Sequence, residues 1–431
     1  MSKSIGNQIY SLAQLLWPIN RSITGNGLRE TLQIIKKNHI PNLKIKSVPT
    51  GSKAFDWIVP KEWNIEDAYI IDPKGKKICN FKDNNLHVVN YSKPIDKEIS
   101  LEELDKHLHS IPEEANAIPY ITSYYKEQWG FCIQDKVRKK LKKGIYKVYI
   151  NSRLFKGRLN YGEIILKGNK TKEIFLSTYI CHPSLANNEL SGPTVTTYLV
   201  KWLQSLKNRR YTYRIIFIPE TIGSIVYLSK NLKNMKKNIV AGFNVTCVGD
   251  DRCYSFLPSR MANTLSDKVA SHVLKWTDKK FKTYEWSERG SDERQYCAPG
   301  IDLPIASIMR SKYGTYKEYH TSLDILDKVV TPKGLEGGFS ALKKSIEIIE
   351  KNFYPKCNFL GEPQLGKRGL YSNIGKRKIA SNTKLIVDFL TWSDGRHSLL
   401  DISEKLNLPV WKLYDLVDLI KKNKLIRVFK H

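Results

Sequence analysis

Five clusters of polar residues have types that could do chemistry, and they lie beside four apolar runs. His182 ends the run 174–180 and is followed by Asn187, Asn188 and Glu189. Glu220 follows the run 213–218, and the polar stretch 246–251, with Asp250, follows 239–245. Asp292, Glu293 and Arg294 precede the run 303–309, and Tyr319 and His320 come after it. A neutral imidazole with carboxylates is a donor set that suits zinc, and a further glutamate can take a proton from water. Singly, each residue has a plainer reading. A lone buried histidine is usually hydrogen-bonded core, and Glu220 would favour the start of the following helix through its charge alone. Their joint occurrence is what points to a site.

Bringing them together requires a particular framework. The short bulky runs 174–180, 213–218, 239–245 and 303–309 read as buried strands, and 191–206, 222–233, 265–276 and 335–352 as helices between and after them. That alternation predicts an α/β fold, a mostly parallel mixed sheet flanked by helices, in which strand ends converge on one side. We assign residues 1–45 and 120–353 to this domain. Within 46–119, short β-like runs broken by turn signals at 72–75 and 83–85 read as an inserted β-rich domain. Residues 354–379 hold Pro355, Pro363, Gly366, Gly369 and Gly375 and read as a linker. In 380–431, helices over 384–391, 399–406 and 410–421 and a strand over 424–429 follow the order of a winged helix. Two further features have both a functional and a packing reading. Arg21, in the loop after the first helix, reaches a substrate or ties the loop down, and Tyr124, Tyr125 and Trp129 line a pocket or pack beneath the insertion.

Composition bounds the function. The chain has 431 residues, 41% of them hydrophobic, enough for a large core, and no apolar run approaches the ~20 residues of a membrane span. Seven scattered cysteines without a CxxC pair, and an N-terminus with no apolar signal core, lead us to expect a cytoplasmic protein with reduced thiols. The net charge of +29 is mostly lysine spread along the chain, which reads as a solvated surface before it reads as a nucleic-acid groove.

The ordered motifs CHPSLANNELSG, FIPETIGS, NVTCVG, GSDERQY, GIDLPIASIMR and YHTSLD resemble the zinc aminopeptidase superfamily that includes glutamate carboxypeptidase II and glutaminyl cyclase. The chain looks closest to bacterial aminopeptidase-like proteins with an inserted small domain and a C-terminal winged helix. LWPINRSITGNGLRETL and IPYITSYYKEQWGFC resemble their N-terminal signatures, so the likeness spans nearly the whole chain. The resemblance implies metal-ligand roles for His182 and His320, a general-base role for Glu220, and a substrate-facing Tyr319. It also places Asn188, Thr221 and Thr246 where the relatives hold metal with carboxylates.

The expectation is therefore one zinc ion, in preference to two, held by His182, Glu189 and His320, with Asp250, Asp292 or Glu293 as an additional or substitute ligand. Zinc-bound water, with Glu220 as base, would hydrolyse an amide bond of a peptide or other small molecule, and Arg294 and Arg310 would grip a substrate carboxylate. A structural salt bridge is the plainer reading of Arg310. The competing expectation is a catalytically altered regulator that senses a ligand or binds DNA or a partner. The helix starting at Val410 carries Asp415 and Asp418, which phosphates repel, so a protein partner or homo-oligomer is favoured over DNA; the basic run 376–378 argues the other way.

Overall fold

The computed structural model describes residues 4–370 and 377–429, with side chains for all of these except 377–382, so the side chains of the basic run 376–378 lie outside the described residues. The chain forms two compact units, Met1–Asp267 with Lys280–Ser340, and Lys268–Lys279 with Ala341–His431.

In the first unit eight strands make one sheet: β1 (Lys44–Pro49), β2 (Arg158–Leu166), β3 (Glu173–Tyr179), β4 (Thr212–Ile218), β5 (Ile239–Asn244), β6 (Ser255–Leu257), β7 (Lys282–Thr283) and β8 (Ile305–Met309). Their spatial order is β1-β2-β4-β3-β5-β8-β6-β7. Every residue of β3, β4 and β8 is buried, which explains their mostly apolar runs, and the buried Arg214 of β4 is paired with Glu173 of β3. β3 pairs in parallel with both β4 and β5, while β1, β2 and β6 add antiparallel partners, giving a mixed α/β sheet flanked by helices. From β3 the chain passes through helix α1 (Ser191–Ser205) to β4, then through α2 (Ile222–Asn238) back to β5 on the opposite side of β3. Reversal of strand order opens a crevice at the carboxyl ends, and His182 stands just past the end of β3.

Four strands form a second sheet in the order Lys77–Ile78, Glu62–Ile71, Ile145–Phe155, Ile95–Ser100, packed on Ile70, Phe131, Tyr146 and Val148. The span 46–119 does not match this pairing. Most of β1 falls inside it yet belongs to the large sheet, and Ile145–Phe155 falls outside it yet is central to the small one. Composition changes along a chain, whereas strands pair across it.

In the second unit the expected linker begins as a strand: Tyr354–Cys357 pairs antiparallel with Ile426–Phe429. Ser398 caps helix Leu399–Lys405 reciprocally with Asp401. The expected helix from 410 starts as a 3-10 turn, Val410–Leu413, before Tyr414–Lys422. His272, itself fully buried, accepts the Val410 N–H at 3.0 Å and pairs with Glu404 through its other nitrogen. Val410 and Leu413 are buried, and Lys351 lies 4.3 Å over the Tyr414 ring. One face of this helix is thus packed inside its own unit, while Lys412, Asp415 and Asp418 on the other are exposed. No helix among the described residues is long and apolar enough to cross a membrane.

Candidate active site

β3 runs through Tyr179 into Ile180, Cys181 and His182, all buried. The next turn, Ala186–Leu190, is a single wide π turn that leads into α1, and it is held from outside. Asp324 accepts the Asn187 and Asn188 N–H groups at 2.8 and 3.0 Å and the Tyr316 hydroxyl at 3.0 Å. Asn187 in turn accepts the Gly249 N–H and donates to Asp250. Asp324→Ala leaves two buried N–H groups unpaired and is expected to cost about 2–4 kcal/mol, measured by urea denaturation.

Glu189 comes out of that turn behind His182. Its Oε2 accepts from His182 Nδ1 at 3.0 Å, and its Oε1 lies 3.4 Å from Arg21 Nε. Arg21 is fully buried and also donates to the carbonyls of Leu16, His182 and Pro183, so it ties down the loop, the plainer of its two readings. Cys181, His182 and Glu189 bring potential ligand atoms within 4.8 Å of one another. Arg21 already supplies positive charge on that side, however, and a divalent ion beside a buried guanidinium is electrostatically opposed. The Glu189 geometry is therefore that of a carboxylate orienting an imidazole, which differs from the ligand role expected of it.

The other edge of the ring faces the crevice. His182 Nε2 lies 3.8 Å from Glu220 Oε2, and the His320 ring is 5.5 Å from the His182 ring. Tyr120 packs at 4.9 Å from one imidazole and 5.2 Å from the other, and Tyr319 stacks on His320 at 3.9 Å. Glu220 is placed by its own N–H donating to Cys181 Sγ and by Ser291 Oγ donating to its Oε1 at 3.0 Å. The residue after it, Thr221, is β-branched yet sits at φ +62°, pinned by its N–H to Asp292 and its hydroxyl to Arg294. His320 has φ +54°. Backbone strain of this kind costs on the order of 1–3 kcal/mol and gathers where side-chain aim matters.

Burial sets the charges. It pushes His182 and His320 down to about 3, helped by Arg21 at the first and by His182 at the second, so both imidazoles are neutral. It raises Glu220 above the usual carboxylate range, and neighbouring Asp292 raises it further. Burial also raises Glu189, against the pull of Arg21 and of the His182 N–H.

The positions that the sequence resemblance assigns to metal-holding acids are neutral and largely engaged, Asn188 Oδ1 being buried without a partner. The Tyr179 hydroxyl bonds to Thr246 at 2.6 Å and accepts from the Asn188 amide at 2.7 Å, and Thr221 bonds to Arg294. The remaining acids bond to the framework, although Asp292 Oδ2 is buried without a hydrogen-bond partner. Asp250 accepts from Ser311 and Asn187, Asp292 from Thr221 and Ser224, and Glu293 from Gly290, Ser291, Tyr313 and Asn244. Arg294 is exposed beside Thr221. Arg310 is buried, donating to the Asp250 carbonyl at 2.6 Å and stacking over Tyr254 at 3.8 Å, so its guanidinium is structural and is corrected from a substrate contact. Tyr120, Cys181, Ser291 and Asp324 were not among the expected site residues, although each lies in a quoted motif: Tyr120 in IPYITSYYKEQWGFC, Cys181 at the start of CHPSLANNELSG, Ser291 in GSDERQY and Asp324 at the end of YHTSLD.

A family model described as a domain of unknown function, DUF4910, matches residues 10–352, and a winged helix-turn-helix model matches 353–428. A Clostridium acetobutylicum protein, provisionally named a polysaccharide biosynthesis protein with aminopeptidase-like domain, is 43% identical over 99% of this chain and 98% of its own. A crystal structure of a provisionally assigned peptidase from the same organism has a TM-score of 0.92 at 42% identity, covering 98% of this chain and 96% of its own. BSAP, a zinc aminopeptidase from Bacillus subtilis, shares the fold at a TM-score of 0.57 and 12% identity, over 80% of this chain and 95% of its own.

Proposed function

The chain belongs to the DUF4910 family, with a winged helix-turn-helix behind the family domain, and from that premise we propose that it is a peptidase-type hydrolase of an amide bond that uses one zinc ion. The observation that carries this reading is the convergence of two neutral imidazoles, His182 and His320, with the partly exposed Glu220 in the crevice beside β3. Neutral imidazole is the ligating form, and the Nδ1–H bond to Glu189 leaves Nε2 with its lone pair toward Glu220. His182 and His320 would supply two of the three protein ligands of a catalytic zinc, with Asp292, whose Oδ2 is buried without a partner, as the substitute third ligand. When bound, zinc would act as a Lewis acid toward the scissile carbonyl and acidify the attacking water. A second ion is not proposed, because Asn188, Thr221 and Thr246 offer no negative charge.

Glu220 takes the proton from the attacking water and returns it to the leaving amine. Burial keeps the Tyr319 hydroxyl protonated, and it donates to the developing oxyanion. Arg294, exposed beside Thr221, receives a substrate carboxylate. DNA reading is left out of the proposal, since the exposed face of the helix that would do it carries Asp415 and Asp418, which phosphates repel.

Metal analysis tests the reading. Protein purified with zinc present is expected to retain about one ion per chain, His182→Asn and His320→Asn to lose it, and the wild type to cleave some member of an aminoacyl-nitroanilide panel. No zinc above trace and no cleavage would favour the ligand-sensing alternative and sink the hydrolase.

A further inference from the structure

Away from the candidate site, the small sheet has an open edge inside a cleft. Strand Ile145–Phe155 pairs with Glu62–Ile71 along its length to Phe155, but its other neighbour, Ile95–Ser100, reaches only as far as Ile150. Residues 152–155 therefore have a strand on one side and a cleft of about 990 Å³ on the other. The sequence explains the early departure. Pro94 has no N–H to continue the ladder, and the Lys93 N–H turns away to the Gln128 carbonyl at 2.9 Å.

The cleft is also net cationic, with Lys61, Lys93, Lys97 and Arg153 against Asp96 and Glu127. Its two acids are answered by lysines, Glu127 by Lys61 at 2.6 Å and Asp96 by Lys147 at 3.6 Å. Lys93, Lys97 and Arg153 also line it, are exposed, and have no ion-pair partner among the described residues. Phe155, 41% exposed, adds an apolar surface at the end of the open edge.

We propose that this cleft docks an acidic peptide segment in extended conformation, adding it as a strand beside residues 152–155 with its carboxylates against Lys93, Lys97 and Arg153. Main-chain hydrogen bonds along a free edge give affinity without regard to side chains, and the surrounding charge selects which segment is taken. A nucleic acid or an acidic saccharide would meet the charge but has no peptide backbone to complete the ladder. A smaller hollow lined by Tyr91, Ser123 and Tyr124 shares Lys61, Glu127 and Leu154 with the cleft. Tyr124 lies 3.2 Å from the Tyr120 hydroxyl, so the docked segment would lead toward the crevice. Docking does not depend on the proposed hydrolysis and is read without turnover.

The probe is a blocked, fluorescent peptide of roughly eight residues alternating glutamate and threonine, long enough at ~3.3 Å per residue to span the edge. With the full chain, saturable anisotropy is expected, weakening as salt rises. Lys93→Glu with Lys97→Glu, both exposed, is expected to weaken binding at least about tenfold with unchanged circular dichroism. The same peptide N-methylated at every residue keeps its charge and is expected to lose at least about tenfold, since it cannot donate to the edge. Equal binding of the N-methylated peptide would overturn strand addition, and tighter binding of an oligogalacturonate would replace the peptide with a saccharide. No saturable binding of the glutamate–threonine peptide would leave the lysines and Pro94 as guards against edge pairing and end the proposal.

Discussion

Glu220→Gln is expected to lower kcat for an aminoacyl amide by about 10²–10⁴-fold, the range for loss of a general base, while zinc content stays at the wild-type level. Glutamine keeps the shape and can still accept from Ser291, so Thr221 and Asp292 need not move. What disappears is the acceptor for the water proton, which matters only in the transition state, so kcat and kcat/KM should fall together. The pH profile gives a second readout. Burial and Asp292 raise Glu220, and only its deprotonated form is a base, so wild-type kcat/KM should fall as pH drops through a midpoint above the usual carboxylate range. The residual rate of Glu220→Gln should lack that limb. Activity within about threefold of wild type would remove Glu220 from the chemistry and point to ligand sensing.

Much of the site was legible because strand ends announce themselves. An apolar run stopping at His182, and others stopping before Glu220 and His320, sufficed to place three groups at one end of a sheet, and β3, β4 and β8 are as buried as those runs implied. What could not be read is pairing across distance. Glu189 lies seven residues from His182 and could be placed beside it, but its other partner, Arg21, comes from the far N-terminal loop, and that contact gives the carboxylate its orienting position. Arg310 follows β8 as a site residue would, yet Tyr254 and the Asp250 carbonyl claim it. Tyr354–Cys357 contains Pro355 and so resembled a linker, although an edge strand tolerates a proline whose nitrogen faces away from its partner. Sequence period reports which face a residue takes, and partner choice between distant loops leaves no period.

The Arg21–Glu189–His182 chain should show its role through stability and metal affinity measured separately. Arg21→Met removes the guanidinium from a fully buried carboxylate and is expected to destabilise the protein by about 3–5 kcal/mol in chemical denaturation, the cost of stranding one member of a buried pair. Adding Glu189→Gln removes the buried carboxyl, which without Arg21 must protonate or remain an unpaired charge, and should recover part of that loss. Glu189→Gln alone can still accept the His182 N–H, but without full charge, and is expected to weaken zinc about 10–100-fold in competition with a chelator, the usual effect of altering a carboxylate that orients a ligand histidine. His182→Asn should abolish binding outright. If Glu189→Gln loses zinc as completely as His182→Asn, the carboxylate is a direct ligand, and Arg21 must move away when the ion enters. A partial loss, with stability restored in the double variant, identifies Arg21 as the fixed cation that keeps Glu189 behind the imidazole and Nε2 turned toward Glu220.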